Sequence, residues 1–271
     1  MTTVVLLRAR NDPELEHGVR ESTMCLDEPS ADALAVGLGH VAAAGGELAG
    51  IAVGPPEWEP ALRDAIAMGV AGVVRLWGPA VEEGGLVAAA SAIAGEVRGS
   101  ATIVIAGGPA PDHGSGILPF ALAELLGWSV IEDAVETGVE GGGAVARVRR
   151  SGGRRQTLRL PPGAVLVAAR GHVLPYPAVA RKLAARRALI PEHSPATGTA
   201  ARPWQIEGYG PAMPVTRHLL RPSATASAGG RLRQLMAGGV TRQAKQAPAA
   251  EGGGGMASQL ADILAKQGLL D

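Results

Sequence analysis

Short apolar runs alternate with stretches of helical spacing through the first half of the chain. Val4–Leu7 is a strand-length apolar run at the very start. Asp32–Ala44 has helical spacing, stops at Gly45-Gly46, and leads into the apolar run Leu48–Val53, which Gly54-Pro55-Pro56 breaks. Trp58–Met68 predicts a helix, with Glu57 and Glu59 at its positive end, Ala61, Leu62, Ala65, Ile66 and Met68 along one face, and Gly69 as its stop. Gly72–Leu76 reads as the next strand, Leu86–Val97 as an Ala-rich helix, Thr102–Ala106 as a strand, and Leu118–Leu126 as a helix beyond a Gly- and Pro-rich loop. This β-α-β-α rhythm predicts an α/β fold: an open, mostly parallel, Rossmann-like sheet with helices on both faces.

The pattern then changes. Ala144–Arg149 and Arg155–Leu160 flank Ser151-Gly152-Gly153 and predict an antiparallel hairpin, and Ala164–Ala168 reads as a further buried strand. Periodicity fades after Pro191. The expected organisation is an α/β nucleotide-binding domain over 1–190, an extended arm or linker over 191–255, and a short amphipathic helix over 256–271. That helix, with Leu260, Ile263 and Leu264 on one side, is too short to be stable alone in water and is expected to dock on this chain or another.

Composition narrows the functional classes. With 46% hydrophobic residues in 271, the chain can bury a sizeable core. Aromatic residues are only 3%, too few for a protein that stacks bases, so nucleic-acid binding is not expected. One cysteine, Cys25, excludes an intramolecular disulfide and a cysteine-only metal cluster. The first residues lack a secretory apolar region, and no apolar run reaches the roughly 18 residues of a membrane span. The expectation is a cytoplasmic protein without membrane insertion. Residues 1–143 carry 20 acidic and 6 basic side chains, whereas 144–271 carry 5 and 19. Such asymmetry suits either a basic surface for an acidic partner or two halves of one fold that neutralise each other.

Catalytic groups are not evident. The six histidines lack metal-ligand spacing, no Gly-x-Ser-x-Gly elbow or Walker loop is present, and Cys25 has no neighbouring histidine. No catalytic residue and no metal are therefore expected. The clearest local feature is Val104 through Leu118, a strand, a Gly-rich loop and a helix start. Gly114 and Gly116 would let backbone N–H groups approach an anion, Ser115 could donate a hydroxyl, and the helix beginning at Leu118 adds positive partial charge. An ordinary βα turn accounts for the same residues. Val53-Gly54-Pro55 follows another strand and would lie on the same sheet edge. Pro175 through Arg187 pairs an apolar tip with a basic helix, a pattern suited to protein docking, with Val179 and Leu183 on one face.

In order and spacing, these segments resemble the beta (small) subunit of electron transfer flavoprotein. The resemblance rests on Val5–Asp12, on Val53-Gly54-Pro55 through Gly69, on Asp112–Gly116 with Ala123–Trp128, and on Tyr176–Arg187; Glu251–Leu270 resembles the tail of some members. It implies a heterodimer with an alpha subunit that holds most of an FAD. It also implies a structural AMP in the beta subunit, electron donors that are flavin-dependent dehydrogenases, and a quinone oxidoreductase as acceptor. By position, the AMP site would comprise Leu6, Asp27, Ser30, Val53, Gly107, Asp112, Gly114, Ser115, Gly116, Ile117 and Leu118. Donor docking would fall to Tyr176, Val179, Leu183, Arg186 and Arg187, with Val179 as the apolar anchor.

The chain departs from the family pattern at three places. Asp27-Glu28-Pro29 stands where Asn-Pro-Phe is common, and two carboxylates beside a phosphate would repel it. Ile117 replaces a frequent Gln, and Val179 replaces Leu, one methylene shorter, or about 0.8 kcal/mol of burial. A stand-alone nucleotide-binding module, and a bifurcating electron transfer flavoprotein with a second FAD in place of AMP, are the alternative readings.

Overall fold

A computed structural model describes residues 2–11, 24–109, 115–174, 176–195 and 227–230. The chain divides into two units, Met1–Gln205 and Ile206–Asp271, and only 227–230 are described in the second. The expected helix over 256–271 lies outside the described residues.

In chain order the first unit runs β1 (Thr2–Leu7), β2 (Ala9–Asn11), β3 (Met24–Leu26), α1 (Glu28–Ala44), β4 (Glu47–Val53), α2 (Glu59–Met68), β5 (Gly72–Leu76) and α3 (Pro79–Val97). It continues β6 (Ile103–Ala106), α4 (Leu118–Leu126), β7 (Ser129–Glu140), β8 (Gly143–Arg149), β9 (Arg155–Arg159), β10 (Ala164–Ala168), α5 (Val179–Ala185) and β11 (Glu192–His193). Nine strands form one sheet in the order β11-β5-β4-β1-β6-β10-β7-β8-β9, and β2 pairs with β3 in a small antiparallel sheet of its own. From β11 to the start of β7 the pairing is parallel; β7-β8-β9 is antiparallel. The fold is α/β with a mostly parallel sheet, as the alternation of the first half predicts.

The central strands read as continuous apolar runs because both their faces are covered. β6 and β10 are buried at every position. Alternate side chains feed two cores. Val5, Leu7, Leu48, Ile105 and Leu166 pack on one face with Leu34 of α1 and Leu62 of α2. Val4, Leu6, Ile51, Val104 and Val165 pack on the other with Ile93 of α3 and Leu122 of α4.

Several boundaries differ from the sequence pattern. α1 starts at Glu28 rather than Asp32, because Asp27 caps it: its Oδ1 accepts the Ser30 N–H at 2.9 Å. α3 starts at Pro79 and kinks at Gly85, so only its second segment shows helical spacing. The Trp58–Met68 helix is a 3-10 turn over Pro56–Trp58 followed by α2. β7 has no counterpart in the sequence pattern. It changes partners mid-strand, and Val135 is an extra residue between Ala134 and Glu136 in the β8 register, with Asp133 at a φ of 56° beside it. Such a bulge shifts the phase of alternation and conceals the strand.

Candidate functional site

β4 and β5 lie on one side of β1, and β6 and β10 on the other. The chain builds outward from β1 through α1, β4, α2 and β5, and then α3 carries it back across to β6. The gap between β1 and β6 is therefore the point where strand order reverses. In open parallel sheets a ligand crevice opens there, beyond the carboxyl ends of the strands. A cavity of about 260 Å3 occupies that position. Leu6, Leu7 and Arg8 at the end of β1, Ile51 and Val53 of β4, and Ala106, Gly107 and Gly108 at the end of β6 line it.

Nine of the eleven residues expected to form a nucleotide site lie on this one cavity: Leu6, Asp27, Ser30, Val53, Gly107, Ser115, Gly116, Ile117 and Leu118. Asp112 and Gly114 lie outside the described residues. The residues converge because three chain segments are tied together. The Arg8 N–H donates to Ser30 Oγ at 2.9 Å, and the Asp27 N–H donates to the Arg8 carbonyl at 3.0 Å. Gly107 passes so close to α1 that a Cβ there would lie 2.4 Å from the Pro29 carbonyl carbon and oxygen. At Gly54 a Cβ would fall 2.3 Å from the Trp58 ring, so the turn after β4 also needs a bare backbone. Trp58 itself lines the cavity.

Asp27 and Glu28 each lie near an arginine, and only Asp27 lines the cavity. Asp27 is buried, caps α1, and has the Arg8 guanidinium 3.8 Å from its carboxylate. Asp and Asn are interchangeable as helix caps, so the departure from Asn preserves the local structure. Glu28 does not line the cavity; its carboxylate is mostly exposed and 3.4 Å from Arg10. At the opposite wall α4 begins at Leu118 with no side-chain cap. Its first turn, through Ile117, Leu118 and Pro119, borders the cavity and presents the positive end of a nine-residue helix. The remaining walls are apolar, from Leu6, Ile51, Val53, Leu86 and Ile93.

The residues expected to dock a donor lie apart from this cavity. Tyr176 is fully exposed, Val179 is 75% exposed at the start of α5, and Leu183 is 55% exposed one turn on. Arg186 and Arg187 are also exposed. α5 is held to α2 from beneath: Ala185 is buried, Lys182 Nζ lies 3.4 Å from Asp64, and Arg63 Nε donates to the Ala188 carbonyl at 3.4 Å. Large apolar side chains thus project from a fastened base.

Residues 19–197 match the electron transfer flavoprotein domain, about two thirds of the chain. The chain belongs to that family. No curated protein matches it. Membership implies association with a flavin and with a partner subunit, and it agrees with the resemblance read from the sequence at the level of the family, without distinguishing the alpha from the beta subunit. Among the described residues no helix is long and apolar enough to cross a membrane, and no group of three or more His, Cys, Asp or Glu is placed to hold a metal.

Parts of this family member's site are not evident from the sequence. Arg8, Trp58 and the α3 residues Leu86, Ala89 and Ile93 also contribute to the cavity wall. Arg8 directly follows the first apolar run, which is the usable signal for a residue at a strand's carboxyl end. Trp58 carries a weaker one: a large ring four residues beyond a glycine at a strand end.

Proposed function

We propose that this chain is the beta (small) subunit of a heterodimeric electron transfer flavoprotein, a carrier without catalysis of its own. It takes electrons from flavin-dependent dehydrogenases and passes them toward a quinone oxidoreductase. The observation that carries this reading is the cavity at the β1–β6 reversal, assembled from the residues that the family resemblance assigns to a nucleotide.

The lining suits an adenylate. Apolar walls and the Trp58 ring offer a surface for the base, and the uncapped α4 terminus with Ser115 and the glycine backbone offers donors to a phosphate. In this reading AMP is structural. FAD, held mainly by the alpha subunit and enclosed by this chain, supplies the redox chemistry when bound. The chain's own residues bind and enclose, while the Tyr176–Arg187 segment presents Val179 to the donor.

Purification of the full chain together with its companion subunit, followed by extraction of the bound small molecules, tests the proposal. The expected result is a yellow 1:1 complex that yields one FAD and one AMP. Two FAD per complex would replace it with the bifurcating carrier, and a colourless nucleotide-binding monomer with the stand-alone module.

A further inference from the structure

The segment that leads from β10 toward the docking residues is fastened to the cavity walls. Asp32 lies on α1 just after Ser30 and is 7% exposed. Its Oδ1 accepts two backbone N–H groups, Gly171 at 3.1 Å and His172 at 2.7 Å. The His172 ring spans two carbonyls, with Nδ1 2.8 Å from the Ala169 oxygen and Nε2 2.7 Å from that of Val135. Val135 is the extra residue of the β7 bulge, so its carbonyl is one that the ladder passes over. Nδ1 also lies 3.5 Å from Asp32 Oδ1. Next to this clasp, Arg170 donates to the Pro109 carbonyl at 3.2 Å, in the loop that continues from Gly107 and Gly108.

Residues 170–172 are thus held by the helix and the loop that together form two walls of the cavity. Just beyond them the chain becomes exposed, at Val173 and Tyr176. Nothing in the folding of a βα unit requires a buried carboxylate to grip backbone 139 and 140 residues away in sequence. The carboxylate is costly to bury and is satisfied only in this arrangement.

We propose that Asp32 is a positioning residue: it fixes the root of the docking segment to the wall of the nucleotide cavity, so that filling the cavity and presenting the segment are linked. This rests on the reading of 176–187 as a docking segment and of the cavity as an AMP site. Linkage is reciprocal: whatever AMP does to the segment, a donor bound to the segment does to AMP.

Tryptic cleavage of the full-length protein in its purified complex, followed by mass spectrometry, tests this. Cuts at Arg181, Lys182, Arg186 and Arg187 report the segment, and the cut at the exposed Arg154 is the internal reference. AMP is stripped and then added back. In the unaltered protein, added AMP should slow the segment cuts by about fivefold or more relative to Arg154. In Asp32→Ala those cuts should be fast with or without AMP, and Asp32→Asn, which keeps an acceptor oxygen, should restore protection. Should Asp32→Ala fail to fold, Arg170→Ala releases the same root from its exposed side and should weaken AMP protection. Equal segment cleavage in all variants, AMP protection that survives Asp32→Ala, or AMP protection undiminished in Arg170→Ala overturns the proposal. AMP retained by the unaltered complex, measured by extraction from the same samples, separates the two failures: no retained AMP refutes the reading of the cavity, whereas retained AMP with equal cleavage in all variants refutes the role of Asp32.

Discussion

His40 illustrates how one buried group ties stability to pH. It lies on α1, 4% exposed, and its Nδ1 has no hydrogen-bond partner. Burial lowers its pKa below the ordinary 6.5, because a cationic ring would lose its hydration without a counter-charge. As pH falls, the unfolded chain takes up this proton first. The stability that His40 contributes is therefore full above 6.5 and is lost as pH falls from there toward the lowered folded value. Urea unfolding from about pH 7.5 down to 5.5 should show a midpoint that drops across the acid half of that range. His40→Leu should flatten that part of the profile. Gly107 acts through shape alone. Its missing side chain lets the end of β6 lie against Pro29, and Gly107→Ala should destabilise the protein by about 1–3 kcal/mol as an overpacked contact. Because the displaced backbone is also cavity wall, the proposed AMP site predicts that any thermal shift produced by added AMP shrinks in the same variant.

At the scale of elements, legibility follows burial. β1, β4, β6 and β10 are readable because their apolar residues run nearly unbroken between two layers of helix. β7 is not, because Asp133 and the extra Val135 reset the alternation and few of its side chains are fully buried. The first turn of α1 is hidden behind Pro29, which reads as a breaker but is well placed at the second position of a helix. The site follows the same division. Its glycines and strand ends can be placed from local pattern. Asp32 cannot, since its partners lie far along the chain and only the closed fold brings them together. The tiny β11 is lost for a related reason: two residues carry no periodicity, and their placement depends on β5.

At the scale of the molecule, one end of the parallel sheet is devoted to the cavity while α5 displays apolar side chains elsewhere on the surface. The two use different residues, so a side chain of one can be altered without touching the lining of the other. Val179 is 75% exposed, so Val179→Asp should leave thermal stability within about 0.5 kcal/mol and, under the proposed function, should leave the FAD and AMP contents of the complex unchanged. Reduction by the donor dehydrogenase should nevertheless fall by about 30-fold in kcat/KM, the loss expected of a central apolar anchor. Stopped-flow kinetics with the cognate dehydrogenase would measure this, and unchanged kinetics would remove Val179 from the docking role.

The Arg75 side chain on β5 is buried, and its guanidinium is met by Glu192 on β11, by Glu59 at 3.6 Å and by the Gly54 carbonyl at 3.4 Å. Glu192 follows Arg75 by 117 residues. During synthesis, β5 must therefore wait as an open sheet margin, with one of its two carboxylate partners missing, until nearly the whole first unit has left the ribosome. The segment between them, which includes α5, is closed into a loop only when that final strand is laid. A nascent chain cut short before residue 192 would keep its central strands yet expose both a pairing edge and a half-neutralised cation, two features that chaperones and proteases act upon.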